Sequence, residues 1–452
     1  MNEGKRLGKL CCFQKEAIVR AGLLVHGGLD DASVNDSTYN SGGYISVQGF
    51  NITVLRNMPV SFPAAYVPWP EFVVELDAMR GYEIQVIGNF VNGEPMAAQI
   101  STSQLFESLS SGYIESLNFT EGTMKIRSGP ILRISDPNGV FPVGYAGTPF
   151  FTADDENPST SSYSGMPMCI PRNSSDPPLP APKPPFCWFS AVADPLRMVP
   201  FLAGDFVTFS GIRRGDKVIC YSIVANNVQI LALGTLVYIR MELGLLGIGS
   251  LVSTNTELAE SRFRGYVSNN RAQIALYAMD IDPCTAAVTD RIIAVVNVCA
   301  NAQSRFQADI LGGYTHDYSA VAEVNGIPAT RLAGNGILAG TFVQPANEFI
   351  HGEQNVPGTS PPVNDFSQMP WLTLGVGVDE HGNLWGPLDP FPQTVVFIEP
   401  IDCGPVGRLR YEGDKTDMNW APSATLLNQS LPLNASSDDV EAAQKKRAAL
   451  DI

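Results

Sequence analysis

Between residues 81 and 104 the chain reads GYEIQVIGNFVNGEPMAAQISTSQ, where apolar Tyr82, Ile84 and Val86 alternate with polar Glu83 and Gln85. A period of two marks a strand with one buried face, and Asn92-Gly93 is a strong hairpin turn. The same pattern recurs in YISVQGFNITVLRNMPVS (44–61) and in GYIESLNFTEGTMKIRSGPILRI (112–134), with a turn at Glu121-Gly122. It returns in FLAGDFVTFSGIRRGDKVICYSIVANNVQI (201–230), with a turn at Arg214-Gly215-Asp216. That second block echoes the first in hairpin pattern, so a duplicated small barrel or sandwich is one reading. Further strands are expected in LVYIRMELGLLGIG (236–249), in FRGYVSNNRAQIALYAMDIDP and DRIIAVVNVCA, and in short pieces of 314–350 separated by Gly334, Gly336 and Gly340. Helical spacing is limited to ELAESRFR (257–264) and DDVEAAQKKRAAL (438–450).

The fold class expected is therefore all-β: two or three small antiparallel barrel or sandwich domains joined by a Pro-rich connector. The expected boundaries are an N-terminal segment 1–43, a β domain 44–150, a connector 151–190, a second β domain 191–312, a C-terminal β/loop region 313–412 with a candidate pocket, and a polar tail 413–452. In the connector, six prolines between 176 and 185 read as a flexible linker, whereas MPMCIP and two cysteines read as a loop packed on the domains.

Composition narrows the function. The 452 residues are only 16% charged, with 41 Gly, 34 Pro and a net charge of −16. So acidic a surface repels phosphate backbones, which argues against nucleic acid as a partner. No apolar run reaches the length of a membrane span, and the basic N-terminus is interrupted by Glu16 and Arg20, a poor signal-peptide core. Six Asn-X-Ser/Thr sequons, at Asn35, Asn51, Asn118, Asn173, Asn428 and Asn434, point instead to the secretory pathway or secretion. Of eight cysteines, Cys169 with Cys187 and Cys284 with Cys299 are the candidate disulfides, and buried free thiols are the alternative. Oligomeric state is left open.

Signatures of common hydrolases, kinases and dinucleotide enzymes are absent, and no cofactor or metal is expected. Asp154-Asp155-Glu156-Asn157 reads as a solvated acidic turn in preference to a calcium loop. The scarce His and Trp residues concentrate toward the C-terminus. They suggest a largely apolar pocket lined by Trp371 or Trp385, with polar direction from His316, His351 or Gln344 and apolar small molecules as substrates. A strand-end role for His316 and a core-capping role for the tryptophans are the alternatives.

SGMPMCIPR after DDENPS, then GDFVTFSG, GILAGTFVQP and GPLDPFPQ, together resemble a family of fungal β-rich proteins, often with secretory features, over about residues 45–400. More specifically, the chain resembles the hetero-Diels–Alderases of fungal tropolone–sesquiterpenoid pathways. That resemblance implies a cofactor-free pocket that assists loss of water from a hydroxymethyl tropolone and orients a humulene-type alkene toward the resulting quinone methide. No catalytic residue is carried over by motif. A non-catalytic secreted binding protein, for a glycan or small apolar ligand, and a hydrolase using His and Asp are the competing expectations.

Overall fold

The computed structural model describes residues 21–38, 41–64, 66–102, 109–145, 150–154, 157–172, 198–230, 236–247, 260–281, 288–299, 304–311, 315, 317–333, 337–345, 348–350, 364, 409–412 and 419–422. Of these, 60% lie in strands and 4% in helix, so the fold is all-β.

The first unit is built from β1 (Ala21–Val34), β2 (Gly43–Val47), β3 (Phe50–Val54), β4 (Pro59–Ser61), β5 (Tyr66–Pro68), the short helices α1 (Trp69–Val74) and α2 (Leu76–Met79), β6 (Glu83–Val91) and β7 (Glu94–Thr102). Strand order is β3-β2-β1-β6-β7, and a parallel pairing of β3 with β7 closes the five into a barrel. Strand β1 serves two neighbours: its first half pairs with β6 and its second half with β2, with an irregularity between Leu29 and Asp31. This double duty explains why the stretch lacks a clean alternation. It also corrects the expected N-terminal segment 1–43, because residues 21–34 are the central strand of the barrel. The Asn92-Gly93 turn forms as expected, with φ of 55° and 84° joining Val91 to Glu94. Helix α1 packs on β1, β4 and β5. It inserts Trp69 and Phe72 into a core that includes Ile45, Val60 and Ile84.

The second unit repeats that plan. Its strands are β8 (Leu109–Asn118), β9 (Thr123–Ile126), β10 (Ile131–Ile134), β11 (Thr160–Ser162), β12 (Met168–Cys169), β13 (Val199–Pro200), β14 (Phe206–Arg214) and β15 (Lys217–Ala225). The order β10-β9-β8-β14-β15 is closed by a parallel β10–β15 pairing. In both units a five-stranded Greek-key barrel carries its long connection between the third and fourth strands, the topology of an OB-type barrel. The sheets therefore depart from the expected 44–150 domain, since residues 109–134 pair with 206–225. Most of the described part of the connector is buried. Phe151, Met166, Met168 and Ile170 are all at 0–1% exposure, so this part is packed on the barrels.

The third unit contains β16 (Ile239–Gly247), β17 (Glu260–Val267), β18 (Gln273–Ile281), β19 (Val288–Asn297), β20 (Arg305–Leu311), β21 (Asp317–Val324), the short β22 (Ile327–Pro328), β23 (Arg331–Leu332) and β24 (Leu338–Ala339), then β25 (Thr341–Pro345) and β26 (Glu348–Ile350). One sheet runs β20-β17-β16-β26 and the other β19-β18-β21, with β25 on β21. Their edges meet where β19 lies by β20 and β16 by β25, giving a barrel-shaped unit around Phe263, Ile274, Leu276 and Phe306. The expected helix at 257–264 is a strand from Glu260 onward. Phe263 and Val267 are buried in the core, and both edges of the segment find partners in β16 and β20. Tertiary pairing here overrides helical spacing.

Among the described residues Cys220 and Cys299 are free thiols, the first buried and the second exposed. This corrects the Cys284–Cys299 bridge. Cys299 follows the exposed strand β19 and carries a free thiol, while Cys284 lies outside the described residues. Cys169 is fully buried and is not one of the free thiols. No helix among the described residues is long and apolar enough to cross a membrane.

Candidate functional site

In both OB-type barrels the third-to-fourth connection lays a strand parallel to the fifth: β4 against β7 in one, β11 against β15 in the other. These two equivalent edges, together with one wall of the third unit, line a half-open cavity of about 630 Å³. That volume falls within the usual range for small-molecule sites. Barrel one contributes Phe62, Gln99 and Ser101, barrel two and its connection contribute Ser161, Ser210 and Tyr221, and unit three contributes Arg240, Arg264, Arg305, Phe342 and Gln344.

The third wall follows from strand register. Arg240 on β16 stands opposite Tyr266 on β17, which stands opposite Arg305 on β20. Side chains two apart on a strand share a face, so Arg264 joins Tyr266 on the side facing away from Phe263. Arg240 is fully engaged: its Nη2 bonds Glu242 Oε1 at 3.0 Å and its Nε donates to the Tyr163 carbonyl at 3.0 Å. Its guanidinium also lies 5.3 Å and 4.8 Å from the rings of Tyr163 and Tyr266. Burial pushes the Tyr266 phenol well above its ordinary value, so it stays a neutral hydroxyl. Gly165 makes this arrangement possible. Its φ is +91°, and a Cβ there would sit 2.9 Å from the Ile239 carbonyl carbon, so only glycine lets the Tyr163 turn approach β16.

Arg264 Nε and Arg305 Nε are different. Both are buried without a hydrogen-bond partner, as are Gln99 Oε1 and Ser161 Oγ elsewhere on the wall. Each buried, unmet polar group costs about 1–3 kcal/mol, more when charged. The cavity thus presents donors from one unit, an acceptor from another and a hydroxyl from the connection, beside the apolar surfaces of Phe62, Met241 and Phe342.

The connection is tied to this wall. Asn157 Nδ2 donates to the Val343 carbonyl at 2.9 Å, and Val343 N donates to Asn157 Oδ1 at 3.0 Å. Asp154 Oδ1 accepts from Asn157 N at 3.0 Å, and both residues line the cavity.

Of the residues singled out from sequence, Gln344 lines the cavity, 7% exposed, on β25 opposite Tyr318. His316, His351, Trp371 and Trp385 lie outside the described residues, as do Cys187, Cys284, Asn173, Asn428 and Asn434. Sequence reasoning missed Arg240, Arg264, Arg305, Tyr221 and Gln99. A usable signal was present: an arginine and a glutamate flank Met241 inside an apolar strand, and Arg264 and Tyr266 alternate with core positions. Reading 257–264 as helical hid that alternation. Asn35, Asn51 and Asn118 are exposed.

Neither a known protein family nor a curated protein matches the chain. Among solved structures, one described as "drosophila Unr CSD456" aligns at 7% identity and a TM-score of 0.14, covering 73% of this chain and 99% of that one. So slight a likeness carries no argument.

Proposed function

We propose that this chain binds a small organic substrate in the cavity between its three β units and acts there as a cofactor-independent pericyclase. The reaction is a hetero-Diels–Alder cycloaddition of a tropolone-derived quinone methide with a humulene-type sesquiterpene. The observation that carries the reading is the cavity itself, with each unit supplying part of the wall and unmet polar groups facing apolar surface. A cycloaddition gains chiefly from holding two partners in reactive geometry, worth about 7–11 kcal/mol in the best case. Guanidinium donors placed where a heterodiene oxygen would sit add electrostatic polarisation. The residues behind the resemblance support the same place: GDFVTFSG contributes Thr208 and Ser210 to the wall, and GILAGTFVQP contributes Phe342, Val343 and Gln344.

The test is product formation from a hydroxymethyl tropolone and a humulene-type alkene. The reading expects a single stereoisomer well above the spontaneous background. A racemic adduct at the background rate would overturn it. The two OB-type barrels favour a second reading, a non-catalytic binding protein, because such barrels recur as binding modules. Binding without turnover would select it.

We further propose passage through the secretory pathway, with glycans on the exposed Asn35, Asn51 and Asn118 and a Cys169–Cys187 bridge stapling the connector. Exposure of these three sequons supports this. Glycosidase treatment of protein from its native host should lower its mass, and non-reducing peptide mapping should yield one Cys169–Cys187 linked peptide. Unshifted mass or two free thiols would contradict it.

A further inference from the structure

We infer that the Arg264–Arg305 wall makes the cavity selective for a ligand bearing an anionic oxygen group, a carboxylate or an acidic enol, with its apolar body turned toward Phe62, Tyr221 and Phe342. This rests on the small-molecule reading above and names the substrate class.

The charges on the wall decide it. Arg240 is neutralised by Glu242 and fixed between two tyrosine rings, so it is a strut. Arg264 and Arg305 remain, each with a buried Nε that has no partner, and Asp154 is the other carboxylate lining the cavity. Arg305 has one further bond, a long 3.5 Å contact from Nη2 to Gln307 Oε1 on its own strand. Two guanidinium groups against one carboxylate leave local positive charge in a chain whose formal net charge is −16. Guanidinium forks match a pair of oxygens on one planar group, the geometry of carboxylates and of acidic enolones. The molecule's overall field works against any anion, so a preference for the anion has to come from this wall. Opposite it, Gln99 Oε1 is an unmet acceptor, which suits a ligand that also carries a hydroxyl or amide donor.

The experiment measures binding of tropolone, ionised at pH 8, against its neutral methyl ether by calorimetry, in wild type and in Arg264→Gln and Arg305→Gln. Far-UV circular dichroism checks that each variant folds. The inference expects at least tenfold tighter binding of the ionised compound in wild type. It expects that ratio to collapse toward one in either variant while the ether still binds. Equal affinities in wild type, or a ratio untouched by both substitutions, would overturn the anion selectivity and leave the small-molecule reading intact. If neither compound binds, and Ser101→Trp in the cavity wall leaves turnover of the full substrates unchanged, both fall.

Discussion

The two OB-type barrels share a plan down to single residues, yet they do different jobs. In β6, Gly88 faces a bulge at Ala98 of β7 and is followed by three more strand residues and a two-residue turn. In β14, Gly211 faces a bulge at Tyr221 of β15 and is followed by three more strand residues and a two-residue turn. At either glycine a Cβ would overlap a carbonyl oxygen of the neighbouring strand, Met96 for Gly88 and Ile219 for Gly211. The barrels differ in what joins their third and fourth strands. Residues 55–82 return quickly and use two short helices to plug the barrel with Trp69 and Phe72. The described part of the connection between β10 and β14 sets Phe151 against Tyr82 of the first unit, ties Asn157 to Val343 of the third, and holds Ser161 on the cavity wall beside β15. One connection completes a core, and the other lines the cavity between the units.

The largest expected effect comes from emptying the two connections. Trp69→Ala and Phe151→Ala each remove a fully buried aromatic and should each cost about 3–5 kcal/mol in denaturant unfolding. They should separate in binding. Phe151 packs 4.8 Å from Tyr221, which lines the cavity, so its loss should weaken the ligand in protein that remains folded, and loss of Trp69 should not. Equal effects on affinity would erase the contrast drawn here.

Next in size are the paired bulges. Gly88→Ala and Gly211→Ala should each cost about 1–3 kcal/mol by forcing strands apart. A large effect at one and none at the other would show that the shared bulge is not a shared constraint. Smaller still is Asn157→Ala, which removes both hydrogen bonds to Val343 and should cost about 1–2 kcal/mol in stability. It should also raise the ligand dissociation rate, because the connection is then untied from the arginine wall.

The smallest effect concerns pH at the point where the long connection rejoins its barrel. Burial raises the Asp205 carboxyl above its ordinary 3.8, against the opposing hydrogen bond from Leu202 N. The folded state then holds this proton more tightly than the unfolded chain. Its contribution to stability is full below about the ordinary value and is lost as pH rises through the raised one. Asp205→Asn should flatten that part of the stability profile, and an unchanged slope would assign it to other groups.

Much of this architecture was legible. Alternation at 82–86 and the Asn92-Gly93 and Gly215-Asp216 turns identify hairpins because such signals are local. The echo between them is a true repeat of topology. Barrel closure was not legible, because the β3–β7 and β10–β15 pairings join strands distant in sequence that carry no mark of each other. Of the residues singled out from sequence, Gln344, a polar residue in a Gly-rich segment of short strands, lies on the cavity wall. Arg264 and Arg305 were missed because their meaning comes from register: each looks like an ordinary solvated charge until Tyr266 is set between the strands that hold Arg240 and Arg305.

The most direct measurement is a crystal structure of the protein soaked or grown with a hydroxymethyl tropolone. The account predicts ligand density in the cavity between the three units, with its oxygens within hydrogen-bond distance of Arg264 and Arg305 and its ring near Tyr221 or Phe342. Ligand bound elsewhere with this cavity filled only by water would contradict it.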